Sequence, residues 1–261
     1  MASSSSPSNG NGIISRVLPP AIRFWLSTQL EQVNNLQFQI KGRDRELLSG
    51  HIPEVSLSAQ KAIYQGIHLS HAAATAHTIR INLKQILRRQ PLRLLAPFPI
   101  SGDVELTEAD FNASLQSPLL GEGLYDFLRL MANSQPAATP IKHMLNNLPE
   151  RNLLAQYCPS AELIADQICL RLQPIEPQAL AAIAISTQLS IHNGHCLRLD
   201  HPCWLSETAS DQATSATPLP ELHGFEIDLG SQVTLTKCLI AHKKLQLSGT
   251  IRVLPGESGG G

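Results

Sequence analysis

Charged and aromatic side chains are both scarce in this chain. Of its 261 residues only 16% are Asp, Glu, Lys or Arg and 4% are Phe, Trp or Tyr, and the formal net charge is −1. That balance argues against a general nucleic-acid binder, which needs a cationic face to neutralise phosphates. The five cysteines are an odd number without CxxC spacing, so reduced thiols in a cytosolic compartment are expected rather than a disulfide framework. No run approaches the ~20 apolar residues that cross a bilayer, and the opening MASSSSPSNGNG has no apolar signal core. The expectation is a cytoplasmic protein, peripheral at most on the inner face of a membrane.

Catalytic signatures are missing too. No GxSxG elbow occurs, and Gly121-Glu122-Gly123 begins a phosphate-binding GxG whose third position holds Asp126, with no Walker lysine after it. His192, His195, Cys196, His201 and Cys203 crowd together but fit no zinc module, and a hairpin register that puts His192 in the turn and His195 in the sheet separates their rings. A non-enzymatic protein with no cofactor and no metal is expected.

What the chain does hold is aliphatic mass, mostly Leu, Ile and Ala, which suits a deformable apolar cavity as well as a solid core. The clearest unit is Ser101 to Leu120. Val104 and Leu106 alternate with Asp103 and Glu105 as in a half-buried strand; Thr107 and Asp110 then form a helix cap, and Phe111, Leu115 and Leu119 follow at i, i+4 and i+8, with Pro118 as the stop.

Before this unit, an amphipathic helix is predicted from Pro20, with Ala21, Ile22, Trp25, Leu26, Gln29, Leu30 and Val33 on one stripe. From Leu36 the period changes to two, and strands are predicted at 51–59, 63–71 and 76–83 in an antiparallel meander. A short helix at Asn82 to Arg89 carries a basic outer side: Arg80, Lys84, Arg88, Arg89 and Arg93 form either a solvated rim or a patch for anionic lipid head groups. Further strands are expected at 162–172, 181–191, 225–229, 233–240 and 245–253. A three-residue loop at His192–Gly194 is preferred because it pairs Leu189 with Leu197. The domain organisation is one unit over 13–255, with tails at 1–12 and 256–261 and flexible segments at 132–140 and 206–220. The motif apolar-Ser-Gly-x-apolar recurs at residues 48–52, 100–104 and 247–251, as glycines at bends of a curling sheet would.

Several stretches carry a family likeness: RELLSGHIPEVSLSA (45–59), AIYQGIHLS (62–70), IRINLKQILRRQPLRLL (79–95), GDVELTEADFNASLQSPLL (102–120) and FEIDLGSQVTLTKCLIAHKKLQLSGTIRVLP (225–255). They resemble the cyanobacterial branch of the LmeA-like phospholipid-binding family. The resemblance implies an α+β fold in which an elongated, curved antiparallel sheet, with the N-terminal amphipathic helix and the central helix packed on it, encloses an apolar groove, similar to tubular lipid-binding folds. It also implies a phospholipid or other acyl lipid as partner, with transient membrane contact. Trp25, Leu26, Leu30, Phe111, Leu115 and Leu119 are the candidate groove residues. A protein-interaction scaffold with a filled core is the alternative, and cavity volume distinguishes the two.

Overall fold

Alternation of apolar and polar residues dominates the chain, and strands follow it. The computed structural model describes residues 30–134, 142, 145, 153–176, 182–207 and 214–255. Every strand pairing in it is antiparallel, and the strands form two open sheets rather than the single sheet expected. The first sheet runs in the order β1 (Gln32–Lys41), β2 (His51–Tyr64), β3 (Ile67–Arg80), β4 (Phe98–Thr107), β12 (Lys244–Val253) and β11 (Val233–Ala241). The second contains β5 (Tyr157–Ile164), β6 (Gln167–Pro174), β7 (Ile183–His192) and β8 (Cys196–Glu207). Along its far side β8 pairs with both β9 (Thr214–Pro218) and β10 (Glu226–Asp228). Among the described residues, the helices that join the strands include α1 (Asp44–Leu48), α2 (Leu83–Ile86), α3 (Glu108–Leu115) and α4 (Pro118–Ser134).

The predicted N-terminal helix, with Trp25 and Leu26, lies outside the described residues. Val33, the last member of its stripe, is already in β1. Where three strands were expected between 51 and 83 there are two longer ones. The apolar pattern breaks inside each because Lys61 (φ 49°) and Thr78 (φ 59°) adopt positive φ. Such a kink turns the side chains over, so Ala59 and Ala62 are both buried, as are Ala76 and Ile79. The true hairpin turn is Gln65-Gly66, with φ of 50° and 76°. Similarly, the strand expected at 162–172 is a hairpin of β5 and β6, and part of the expected 206–220 loop is β9.

Register makes the first sheet two-faced. Phe38, Leu57, Ala74, Gly102, Gly249 and Leu235 form one row across all six strands, and Ile40, Val55, Ala76, Ile100, Ile251 and Val233 form the next. On the opposite face the intervening row is Gln39, Ser56, Thr75, Ser101, Thr250 and Thr234. One side is therefore apolar over its full width, and the other is polar. Cross-strand pairs hold the polar side, among them Lys41 with Glu54 at 2.7 Å and Lys244 with Glu105 at 2.8 Å. Two of the glycine motifs meet: Gly102 pairs directly with Gly249.

The second sheet buries its core differently. The apolar stripe of α4 supplies Leu128 and Ala132, which pack with Tyr157, Leu172, Ile183 and Ile185, and Phe127 meets the ring of Phe225 edge-on at 5.5 Å. A smaller cluster joins the sheets, with Leu163 from β5 against Ile240 and Leu245 from β11 and β12.

Candidate functional site

Only parts of the first sheet's apolar face are covered. At one end the connection from Ile81 to Phe98 folds over it and buries Ile52, Val55, Ala76 and Ile79. At the other end Phe111, Leu163 and Ile168 close over Leu245 and Leu247. Between them Phe38, Leu57, Ala74 and Leu235 stay half-exposed, and Ile251 is 53% exposed. Among the described residues, an apolar strip thus runs across the sheet with little over it.

Under the covering connection lies a cavity of about 70 Å³, lined by Ile52, Val55, Leu57, Ala74, Ala76, Ile79, Ile81, Leu92, Leu94, Phe98 and Ile100. Every lining residue is apolar. The small side chains Ala74 and Ala76 make the space, and the ends of Leu92 and Leu94 roof it. Pockets for whole small molecules usually measure roughly 300–1,000 Å³. This one has room for a segment of an apolar chain, and the half-exposed strip continues from it through Leu57 and Ala74.

The roof is held by Asn82, the residue at the N-cap position of α2. Its amide instead donates to the Pro91 carbonyl at 2.9 Å and accepts the Arg93 N–H at 2.7 Å, and no side-chain cap bond forms. Buried at 7% exposure, it closes the 82–93 loop and fixes Leu92 and Leu94 over the cavity. Sequence reading missed this role, although an Asn flanked by apolar residues is a signal for it.

The same connection carries the basic residues. Arg80, Lys84, Arg88, Arg89 and Arg93 are all exposed, and none forms an ion pair with a described carboxylate. Leu48, Leu87 and Leu95 stand among them at 53%, 47% and 61% exposure. Leu48 borders Ser49 and Gly50, which line a common recess with Arg80, Ile81 and Leu95. One end of the molecule therefore mixes unpaired cations with exposed leucines next to the apolar cavity.

The other candidate groove residues lie elsewhere. Leu30 is half-buried just before β1, Phe111 packs in the cluster between the sheets, Leu115 is 6% exposed, and Leu119 is 47% exposed. None of the four lines the cavity. Thr107 caps α3 as expected, its Oγ1 accepting the Asp110 N–H at 3.2 Å. The Thr107 N–H, however, goes to Ser70 Oγ at 2.7 Å, and Asp110 receives the Ser70 and Thr107 hydroxyls. Pro118 begins α4 rather than merely ending α3.

The histidine and cysteine crowd does not converge as a group. His192 is the last residue of β7, paired with Cys196, and His195 is in the turn, the reverse of the expected placement. His201 lies against His223, with ring centroids 5.2 Å apart. The hairpin loop is Asn193 to His195, so Leu189 faces Leu199 and Ile191 faces Leu197. Asn193 takes positive φ itself (52°), which starts the turn one residue later while keeping the apolar faces matched. Burial pushes the Cys169, Cys196 and Cys238 thiols up, helped at Cys196 by Asp228 and Glu226, which is the opposite of activating a nucleophile.

Antiparallel sheets with an apolar face, a small all-apolar cavity and a cationic, leucine-bearing end match the two-part chemistry of an amphipathic molecule. The comparison with known families agrees: the chain belongs to the LmeA-like phospholipid-binding family, whose model matches residues 10–250. No curated protein and no solved structure matches the chain. Among the described residues no helix is long and apolar enough to cross a membrane.

Proposed function

We propose that this protein binds a phospholipid or similar acyl lipid without catalysis, seating an acyl chain in the cavity above Ala74 and Ala76 and along the apolar strip of the first sheet. The observation that carries this reading is the cavity lining, which contains no polar residue in a chain whose family binds phospholipid. Burial supplies the affinity. At ~0.8 kcal/mol per methylene, ten methylenes contribute about 8 kcal/mol, which corresponds to roughly micromolar binding before any head-group contact.

The cationic end is the proposed point of membrane contact. Its exposed leucines can enter the interfacial region while Arg80, Lys84, Arg88, Arg89 and Arg93 meet anionic head groups, and a lipid then enters between Leu92, Leu94 and the sheet. Five free cysteines support work in a reducing compartment, on the inner face of a membrane. In this reading the candidate residues Trp25, Leu26, Leu30, Phe111, Leu115 and Leu119 contact the part of the lipid that extends beyond the cavity. The enclosing, tube-like form expected of the fold belongs to the same proposal.

Native mass spectrometry of the purified protein, with lipid analysis of the same sample, tests the reading. Ala74→Phe fills the cavity from the apolar face, whereas Ala73→Phe adds the same ring on the polar face. Near-stoichiometric lipid in the wild type and in Ala73→Phe, but not in a folded Ala74→Phe, is the expected result. A lipid-free wild type that stays so after incubation with phospholipid vesicles would move the search to protein partners.

A further inference from the structure

The tip of the β7–β8 hairpin gathers three different metal-ligand donors. A ring nitrogen of His195, the Cys196 sulfur and a carboxylate oxygen of Asp228 lie within 4.8 Å of one another. Topology brings them together: Cys196 faces Asp228 in the β8–β10 ladder, and the Leu229 N–H donates to the His195 carbonyl at 2.9 Å. Two of the three are held from behind. His195 Nδ1 lies 2.9 Å from the Asn193 carbonyl oxygen, which can only accept, so Nδ1 carries the proton and Nε2 is left with its lone pair. The Gly230 N–H donates to Asp228 Oδ1 at 2.8 Å, which fixes that carboxylate and leaves Oδ2 available.

We propose that His195, Cys196 and Asp228 form a binding site for a divalent transition-metal ion of the zinc class. The donors decide the class. Nitrogen, sulfur and oxygen together suit a borderline ion, whereas calcium and magnesium take shells of oxygen. Three protein ligands leave a fourth tetrahedral position, and the exposed Asp228 places it toward solvent. His192 stands apart because its ring is engaged by Glu226.

Location gives the site a consequence. Gly194, beside His195, accepts the Leu235 N–H from β11, so the hairpin of the second sheet is already bonded to an edge strand of the first. A bound ion adds a cross-link within the second sheet, between the tip of that hairpin and the end of β10, beside the bond to β11. The site is independent of lipid binding.

The test uses the full-length chain, stripped with a chelator and titrated with Co²⁺. The expected result is one cobalt per chain, a thiolate-to-metal charge-transfer band and the strong visible bands of a tetrahedral ion, all displaced by Zn²⁺. Cys196→Ser should abolish the charge-transfer band, and Cys203→Ser should leave it intact. Asp228→Asn, an exposed change on an edge strand, should weaken cobalt binding by roughly tenfold or more. It carries the test by itself if Cys196→Ser does not fold. Absence of the band in the wild type, or cobalt binding unchanged in Asp228→Asn, overturns the site.

Discussion

Gly249 and Gly102 sit opposite each other at the centre of the first sheet, where neighbouring strands leave no room for a methyl group. A Cβ on Gly249 would lie 2.4 Å from the Thr234 carbonyl oxygen and 3.1 Å from Leu235 Cα, and one on Gly102 would lie 2.8 Å from the Ala73 carbonyl oxygen. Those are backbone atoms held in ladders, so they cannot swing aside. Gly249→Ala is expected to destabilise by about 1–3 kcal/mol. Gly123, on α4 with nothing within 4 Å, should behave in the opposite way: Gly123→Ala is expected to stabilise by up to ~1 kcal/mol through helix propensity. Urea denaturation reads both, and shifts of the same sign would refute the crowding argument. Asp110 gives a pH signature. Burial opposes its charge, but hydrogen bonds from Ser70 and Thr107 outweigh burial and hold its carboxyl below the ordinary 3.8. A depressed folded value means stability that is present above the unfolded pKa and is lost as pH falls through the folded one. Asp110→Asn should therefore flatten the loss of stability in acid below about pH 4 while leaving the alkaline limb unchanged.

Among the elements, α3 has a use that its apolar spacing did not advertise. Glu108, Asn112 and Gln116, four residues apart, face the open edge of β5 and complete its hydrogen bonds. Glu108 accepts the Leu163 N–H at 2.9 Å, Asn112 both accepts the Ala161 N–H and donates to the Ala161 carbonyl at 2.7 and 2.8 Å, and Gln116 donates to the Pro159 carbonyl at 2.7 Å. Helix side chains thus replace a missing strand and cover an edge that would otherwise invite pairing with another chain. Asn112→Ala leaves two backbone groups of Ala161 without partners and should cost about 1–3 kcal/mol, with faster aggregation on heating, measured by light scattering. A rise in aggregation without any loss of stability would separate edge protection from folding energy. The sequence made α3, its Thr107 cap and the last two strands legible, because caps and alternation are local chemistry. Strand limits near Lys61 and Thr78 were not legible, since a positive φ at a non-glycine residue reverses the apolar parity without any residue to announce it. The cavity was equally hidden. Its lining joins β2, β3, β4 and the 81–98 connection through cross-strand register, which no single stretch of sequence displays.

For the whole molecule the decisive feature is that its cations are not spread evenly. Arg80, Lys84, Arg88, Arg89 and Arg93 fall within fourteen residues, 80–93, that contain no acid, in a chain with 20 basic residues against 21 acidic ones. A nearly neutral protein with such an end has an orientation in the field of an anionic surface. In the proposed function it would meet that surface with the leucines and the cavity roof in front. Each basic residue near the surface contributes roughly 1 kcal/mol, so Arg88→Gln with Arg89→Gln should weaken binding to anionic vesicles by about 2 kcal/mol, or around thirtyfold. Binding of the wild type should fall as salt rises, because surface attraction is screened beyond a Debye length of about 10 Å at 0.1 M. Zwitterionic vesicles provide the control, since only the leucines act there. Sedimentation of the protein with each vesicle type measures both terms. Equal binding to the two surfaces, unaffected by the double substitution, would make this end a solvated rim and leave lipid entry to the uncovered strip around Leu57 and Ile251.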